Sequence, residues 1–255
     1  MNKLLGYISI KPNLTGAALD HEKSLDYRNI VIVQVLIISS ALLLKDILAI
    51  SGLDERISVV IRDTIFLTFS AVYVFWLWDH LRNLTQNNKL VIFIFILIMV
   101  AFGFSLIVVN PFFKAIPDEN EQRPYLFFIH LMFFIVEATV IYHSIFDIFT
   151  GKKISEEKLW GSACIFLMIG LSFGSVYDLI NITKPGAMGL NTAMGLDSYT
   201  YCICYSMTII GGHDATVEAI PLIMNIGTLE AVWANLFVVL LVGRLLGQPD
   251  EEKAT

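Results

Sequence analysis

Apolar residues in this chain gather in long blocks and do not alternate with polar ones. A helix needs about 20 apolar residues to cross roughly 30 Å of hydrocarbon. Blocks of about that length fall at 29–50, 57–81, 90–109, 125–149, 159–182 and 222–246. The segments between them are polar or rich in turn formers, at 51–56, 83–88, 111–124 and 150–158. The pattern predicts an all-α membrane protein with six transmembrane helices. The gap between helices five and six is longer, and its second half is apolar again. There Asp197-Ser198 can cap a helix start, and 199–208 is an apolar run too short to span. Ile209-Ile210-Gly211-Gly212-His213-Asp214 follows, then a polar turn over 215–221. A helix that enters the membrane and stops is tolerated only where protein or a water-filled cavity surrounds it. A re-entrant helix and loop are therefore expected between helices five and six. The negative end of such a helix suits a cation in that cavity.

Composition agrees. The 255 residues are 56% hydrophobic and only 16% charged, with mean hydropathy +0.70. A soluble domain needs more polar surface than that. The net charge of -6 argues against nucleic acid as a partner. Cys164, Cys202 and Cys204 lie in apolar surroundings, so a disulfide framework is not expected. Cys202 and Cys204 would point to different helix faces, which argues against a metal site. No cleavable signal peptide is visible.

Orientation follows from basic residues. With the N-terminus in the cytoplasm, inner segments hold Lys3, Lys11, Lys23, Arg28, Arg82, Lys89, Lys152, Lys153, Lys158, Arg244 and Lys253. Outer segments hold only Arg56, Lys114, Arg123 and Lys184. Both termini are thus expected to be cytoplasmic. Lys45-Asp46 and Arg62-Asp63 lie at similar depth near the outer face and are expected to pair within a helical hairpin. Glu137 sits near the middle of the fourth helix, where a carboxylate must be protonated, paired or beside a wet crevice. His130 and His143 flank it and read as packed, hydrogen-bonded histidines.

Several motifs in the last third carry a resemblance. Leu229-Glu230-Ala231-Val232, Leu236, Leu241-Val242, Arg244-Leu245 and Gly247 follow the pattern L-E-A-hydrophobic running to L-hydrophobic-x-R-L-x-G. Phe173-Gly174-Ser175-Val176-Tyr177-Asp178-Leu179-Ile180 looks like F-A-S-hydrophobic-Y-Y-L-I. Together they resemble the pore-loop superfamily of potassium channels, of the prokaryotic type with two pore helices. The resemblance covers about 159–247. It implies a homotetramer around a central pore that conducts monovalent cations, potassium or sodium, with no other cofactor.

The filter departs from that family's T-T-V-G-Y-G-D. Here it reads Thr208-Ile209-Ile210-Gly211-Gly212-His213-Asp214. Gly211 and Asp214 are kept, and Ile210 stands for the valine. Gly212 replaces the tyrosine, His213 the second glycine, and Ile209 a threonine. Cations are expected at the backbone carbonyls of Ile209, Ile210 and Gly211. Histidine adopts the second glycine's backbone angles less readily, so weak or absent potassium selectivity is expected. His213 either forms a proton-sensitive ring at the outer mouth or hydrogen-bonds behind the filter. Glu137 is the other candidate proton or polar sensor. In the inner helix, Glu230 is expected to bond behind the short helix, and Ala234 replaces a frequent hinge glycine. Leu241 belongs to the same helix. Trp233 and Phe237 are assigned to the pore or to a neighbouring subunit. The repeat Ala187-Met188-Gly189-Leu190 and Ala193-Met194-Gly195-Leu196 reads as a flexible outer turret, not a metal site.

The four helices before this pore resemble a voltage-sensor layout. Residues 125–149 contain no Lys or Arg, so strong voltage gating is not expected. The domain reading is a cytoplasmic segment at 1–28, a four-helix domain at 29–149, a linker at 150–158, a pore domain at 159–247 and a cytoplasmic tail at 248–255. Neither end leaves room for a ligand-binding domain. Control is expected from pH, lipid, tension or a regulatory protein. The setting is a plasma or bacterial inner membrane. The competing readings are a non-conducting channel-like scaffold or signalling subunit, and an unrelated transporter or membrane enzyme.

Overall fold

The computed structural model describes residues 17–112, 115–150, 156–189, 194–213 and 219–246. They form seven helices: α1 Ala17–Ile50, α2 Glu55–Leu84, α3 Asn88–Val108, α4 Glu119–Phe149, α5 Glu156–Thr183, α6 Leu196–Ile210 and α7 Pro221–Leu246. Six of them, all but α6, are long and apolar enough to cross a membrane. The expected six spans are all present.

Helix starts follow local chemistry. Asp54 accepts from the Arg56 N–H, Asn87 from Lys89 and Leu90, and Asp118 from Asn120. Two helices begin earlier than their apolar blocks. α4 starts at Glu119, so Pro124 lies inside the helix. α1 starts at Ala17, and its polar first turns are anchored by side chains from other helices. Lys23 pairs with Asp147 at 2.5 Å. Tyr27 is fully buried, its ring 4.1 Å from that of His80. Asp26 accepts from Asn83 at 2.6 Å and lies 3.4 Å from His80 Nδ1. Hydropathy is blind to such anchors, so 17–28 reads as a polar segment from sequence while forming part of the bundle. Residues 1–16, the 151–155 stretch of the linker and the tail at 248–255 lie outside the described residues.

The main core joins α1, α2, α3, α4, α5 and α6 through Tyr27, Leu77, Ile94, Val140, Met168 and Ile203. A second cluster holds α5, α6 and α7 together around Tyr177, Cys202, Tyr205 and Ile223. α6 has only 15 residues and is about 22 Å long at ~1.5 Å per residue, short of a bilayer. It runs antiparallel to α5. Asn181 bonds Ser198 near the top of the pair, and Ser206 bonds the Gly170 carbonyl near the bottom. Gly170 lies about halfway along α5. The chain then returns: the Ile220 N–H, just ahead of α7, donates to the Ala187 carbonyl just beyond α5.

Candidate functional site

The seat of α6 is a groove of backbone. Gly170 and Gly174 lie one turn apart on α5 and leave it bare. A Cβ at Gly170 would meet Met207 Cε at 2.4 Å, and one at Gly174 would meet the Ile203 Cα at 3.2 Å. Small residues at this spacing let helices approach closely. The Gly170-x-x-x-Gly174 spacing was a readable signal for this contact, although the pattern of hydropathy alone does not reveal it.

Glu230 ties the third helix in. It is fully buried. Tyr177 of α5 donates to its Oε2 at 2.5 Å, and Ser206 of α6 bonds its Oε1. Glu230 therefore bonds the back of the short helix, as expected. It belongs to a stripe on α7, with Ile223, Gly227, Ala234 and Phe237, that is buried against the rest of the chain. Ala234, 2% exposed, fills a tight contact there, and Leu241 further along is half-buried. Phe237 packs on Ile148, Ile165 and Ile169. It thus faces neither a pore nor a neighbouring subunit, while Trp233 is 59% exposed.

The end of α6 differs from the filter geometry that the motif suggests. Thr208, Ile209 and Ile210 are helical, and the helix is closed by a Schellman cap. The His213 N–H donates to the Thr208 carbonyl at 3.1 Å, and the Gly212 N–H to the Ile209 carbonyl at 3.1 Å. Gly211 is the C-cap, and Gly212 takes the left-handed position with φ 73°. Only a glycine takes this left-handed position without strain. Of the three expected carbonyls, that of Ile209 is thus occupied by one of the cap's own bonds. The helix therefore ends at Gly211, not at Thr208. His213 is exposed, and Asp214 lies outside the described residues.

The start of α6 is held by the four-helix bundle. Gly195, with φ 100°, is its N-cap, and no side chain caps it. Asp197 and Ser198 have other tasks. Arg62 donates to Asp197 at 2.5 Å and to Asp63 at 3.0 Å, and Lys45 lies 4.0 Å from Asp197. Arg62 thus pairs with Asp63 within the hairpin, as expected, while Lys45 and Arg62 also reach Asp197 on α6. Ser198 donates to Asp178 at 2.5 Å, and His130 Nε2 lies 3.0 Å from the other Asp178 oxygen, outside hydrogen-bond alignment. Tyr199 touches three neighbours: its ring lies 5.9 Å from Phe66 and 4.4 Å from His130, and its hydroxyl 3.3 Å from Ser175.

Glu137 lies apart from α6 and α7, in a buried cluster with hydroxyl partners. Tyr73 donates to it at 3.2 Å and Ser172 at 2.9 Å. Gln34 donates to the Tyr73 hydroxyl and to the Cys164 carbonyl, which joins α1, α2, α4 and α5. Of the alternatives open from sequence, this is the paired one. Cys202 faces Asp178 and Cys204 faces the Ala41 carbonyl, so the two thiols do point apart. The turret reading does not hold at Ala187 and Met188, which are buried against Tyr177 and Tyr205. Sequence reading missed Ser206 as the partner of Glu230, and Gly170 and Arg62 as partners of α6, because each is defined by a contact across the fold. Compared with protein-family models, with curated proteins and with solved structures, the chain has no match.

Proposed function

We propose that the chain is one subunit of a tetrameric potassium-channel-like cation channel, with α5, α6 and α7 as its pore domain. The observation that carries this reading is the path of the chain around α6. The short helix descends along half of α5, and the chain climbs back to Ala187 before α7 begins. Residues 211–219 in extended form reach about 30 Å at ~3.3 Å each, enough to retrace the descent of α6. In this reading α6 is the pore helix, and the chain that follows Gly211 lines the ion path. The Glu230 bond to Ser206 and the backbone groove at Gly170 hold the pore helix at fixed depth.

Four copies are needed to enclose a pore around one axis. Leu229, Trp233, Leu236 and Leu240 supply the surface, since each is more than half exposed in one subunit. They recur at helical spacing on a face beside the buried stripe of α7, roughly 110° around the helix. With Thr208 to Ile210 in the helix, the carbonyl stack of a potassium-selective filter has fewer members. Weak potassium selectivity, or none, follows. α4 carries no Lys or Arg over 125–149, so α1 to α4 act as a bracing and coupling domain with little voltage dependence.

One observation favours the second reading, a non-conducting scaffold or signalling subunit. The carbonyls of Thr208 and Ile209 already accept the cap bonds. Flux from liposomes separates the two. Purified protein is loaded with potassium or sodium against an impermeant cation and compared with Gly211→Asp. Leak from wild type alone supports the channel, and the ion ranking gives selectivity. No leak from either at several pH values supports the scaffold.

A further inference from the structure

A cavity lies where α1 and α2 meet the start of α6. Its volume is about 350 Å³, against about 50 and 10 Å³ for the cavities beside His130 and Glu137. Small-ligand sites span roughly 300–1,000 Å³, so of these three this one is large enough for more than a few waters. Its lower wall is apolar, with Leu48, Leu53 and Val59. Its rim is charged, with Lys45 and Arg62 as cations and Glu55 and Asp197 as carboxylates.

The charges are not equally available. Arg62 is 12% exposed and committed to Asp63 and Asp197. Lys45 is 76% exposed and reaches Asp197 only at 4.0 Å. Glu55 is exposed in the first turn of α2. The rim therefore offers one accessible ammonium and one accessible carboxylate, above apolar walls. The cavity also sits where two apolar spans end, with α1 closing at Ile50 and α2 opening at Glu55. That is the level of lipid headgroups. Ile47, Ile50 and Ile57 beside it are more than half exposed, as suits acyl chains.

We propose that this cavity binds a zwitterionic phospholipid with a primary-amine headgroup. Lys45 meets the phosphate, Glu55 meets the ammonium, and Leu48, Leu53 and Val59 meet the upper acyl chain. A purely anionic headgroup leaves Glu55 opposed to negative charge. A choline headgroup has no N–H to donate to that carboxylate. The bound headgroup would lie beside the Arg62–Asp197 pair, and so beside the start of α6.

The test uses the delipidated full chain in detergent, titrated with mixed micelles of phosphatidylethanolamine, phosphatidylglycerol or phosphatidylcholine. The readout is the shift in thermal midpoint, since a ligand that binds only the folded state raises it. Phosphatidylethanolamine should give the largest shift, about twofold that of either other lipid. Lys45→Glu should abolish the preference, and Glu55→Lys should transfer it to phosphatidylglycerol. Both sites are exposed, so both variants are expected to fold. Equal shifts for the three lipids, or an unchanged preference in Lys45→Glu, would overturn the proposal. So would an equal shift from soluble glycerophosphoethanolamine, which has the headgroup without chains. None of these results depends on conduction.

Discussion

Arg62 on α2 donates to the carboxylate of Asp197 in the first turn of α6 at 2.5 Å. It is one of several polar links to the start of the short helix: Lys45 of α1 lies 4.0 Å from the same carboxylate, and Asp178 of α5 accepts from Ser198.

Arg62→Gln should lower stability by about 1–2 kcal/mol. The value sits low because the Asp197 side chain is 36% exposed and solvent screens it. Asp197→Asn should cost a similar amount. The double variant should cost less than the sum, and a double-mutant cycle on thermal or denaturant unfolding measures the coupling. Strict additivity would mean that the two side chains do not interact.

Glu230 is expected to carry a proton. A serine hydroxyl has one hydrogen, and Ser206 gives it to the Gly170 carbonyl at 2.7 Å, an oxygen that can only accept. The Ser206–Glu230 bond then takes its hydrogen from the carboxyl group. Infrared spectra should show a protonated-carboxyl band that disappears in Glu230→Gln. Stability should fall by about 1–3 kcal/mol in Glu230→Ala, where two hydroxyls lose their partner. A Glu230→Gln spectrum identical to wild type would contradict the assignment.

Gly174→Ala should lift α6 from its groove, because the new methyl meets backbone at Ile203 and not the tip of a flexible chain. The cost is about 1–3 kcal/mol, as for other overpacked contacts. Gly103→Ala is the control: nothing lies within 4 Å of its Cβ, and the change favours the helix. Melting curves of the two variants should move in opposite directions.

Gly212→Ala should cost about 1–2 kcal/mol, since its φ of 73° is unfavourable for a residue with a Cβ. Gly212→Asn should cost less, as asparagine tolerates that region. Hydrogen exchange at the His213 amide reports whether the cap has opened. If both variants exchange as slowly as wild type, the glycine is not needed for the cap.

Much of the architecture was legible in the sequence. Six spans and the short helix α6 followed from block length alone. The Glu230 contact with α6 followed from its place in a motif. What escaped was set by distant contacts. The polar turns at 17–28 are helical because Asp147, His80 and Asn83 hold them. Thr208 to Ile210 looked like the start of a filter, yet the Gly212 cap lets the helix continue through them. Ala187 and Met188 looked like a surface repeat, yet α6 and α7 cover them.

The bare groove at Gly170 and Gly174 also determines how movement would travel. Rotamer changes absorb small displacements between ordinary helices, and here α5 offers no rotamers to absorb them. A shift of α5 must carry α6 with it as a rigid body. The end of α6 at Gly211 therefore acts as the tip of a lever whose pivot lies in α5.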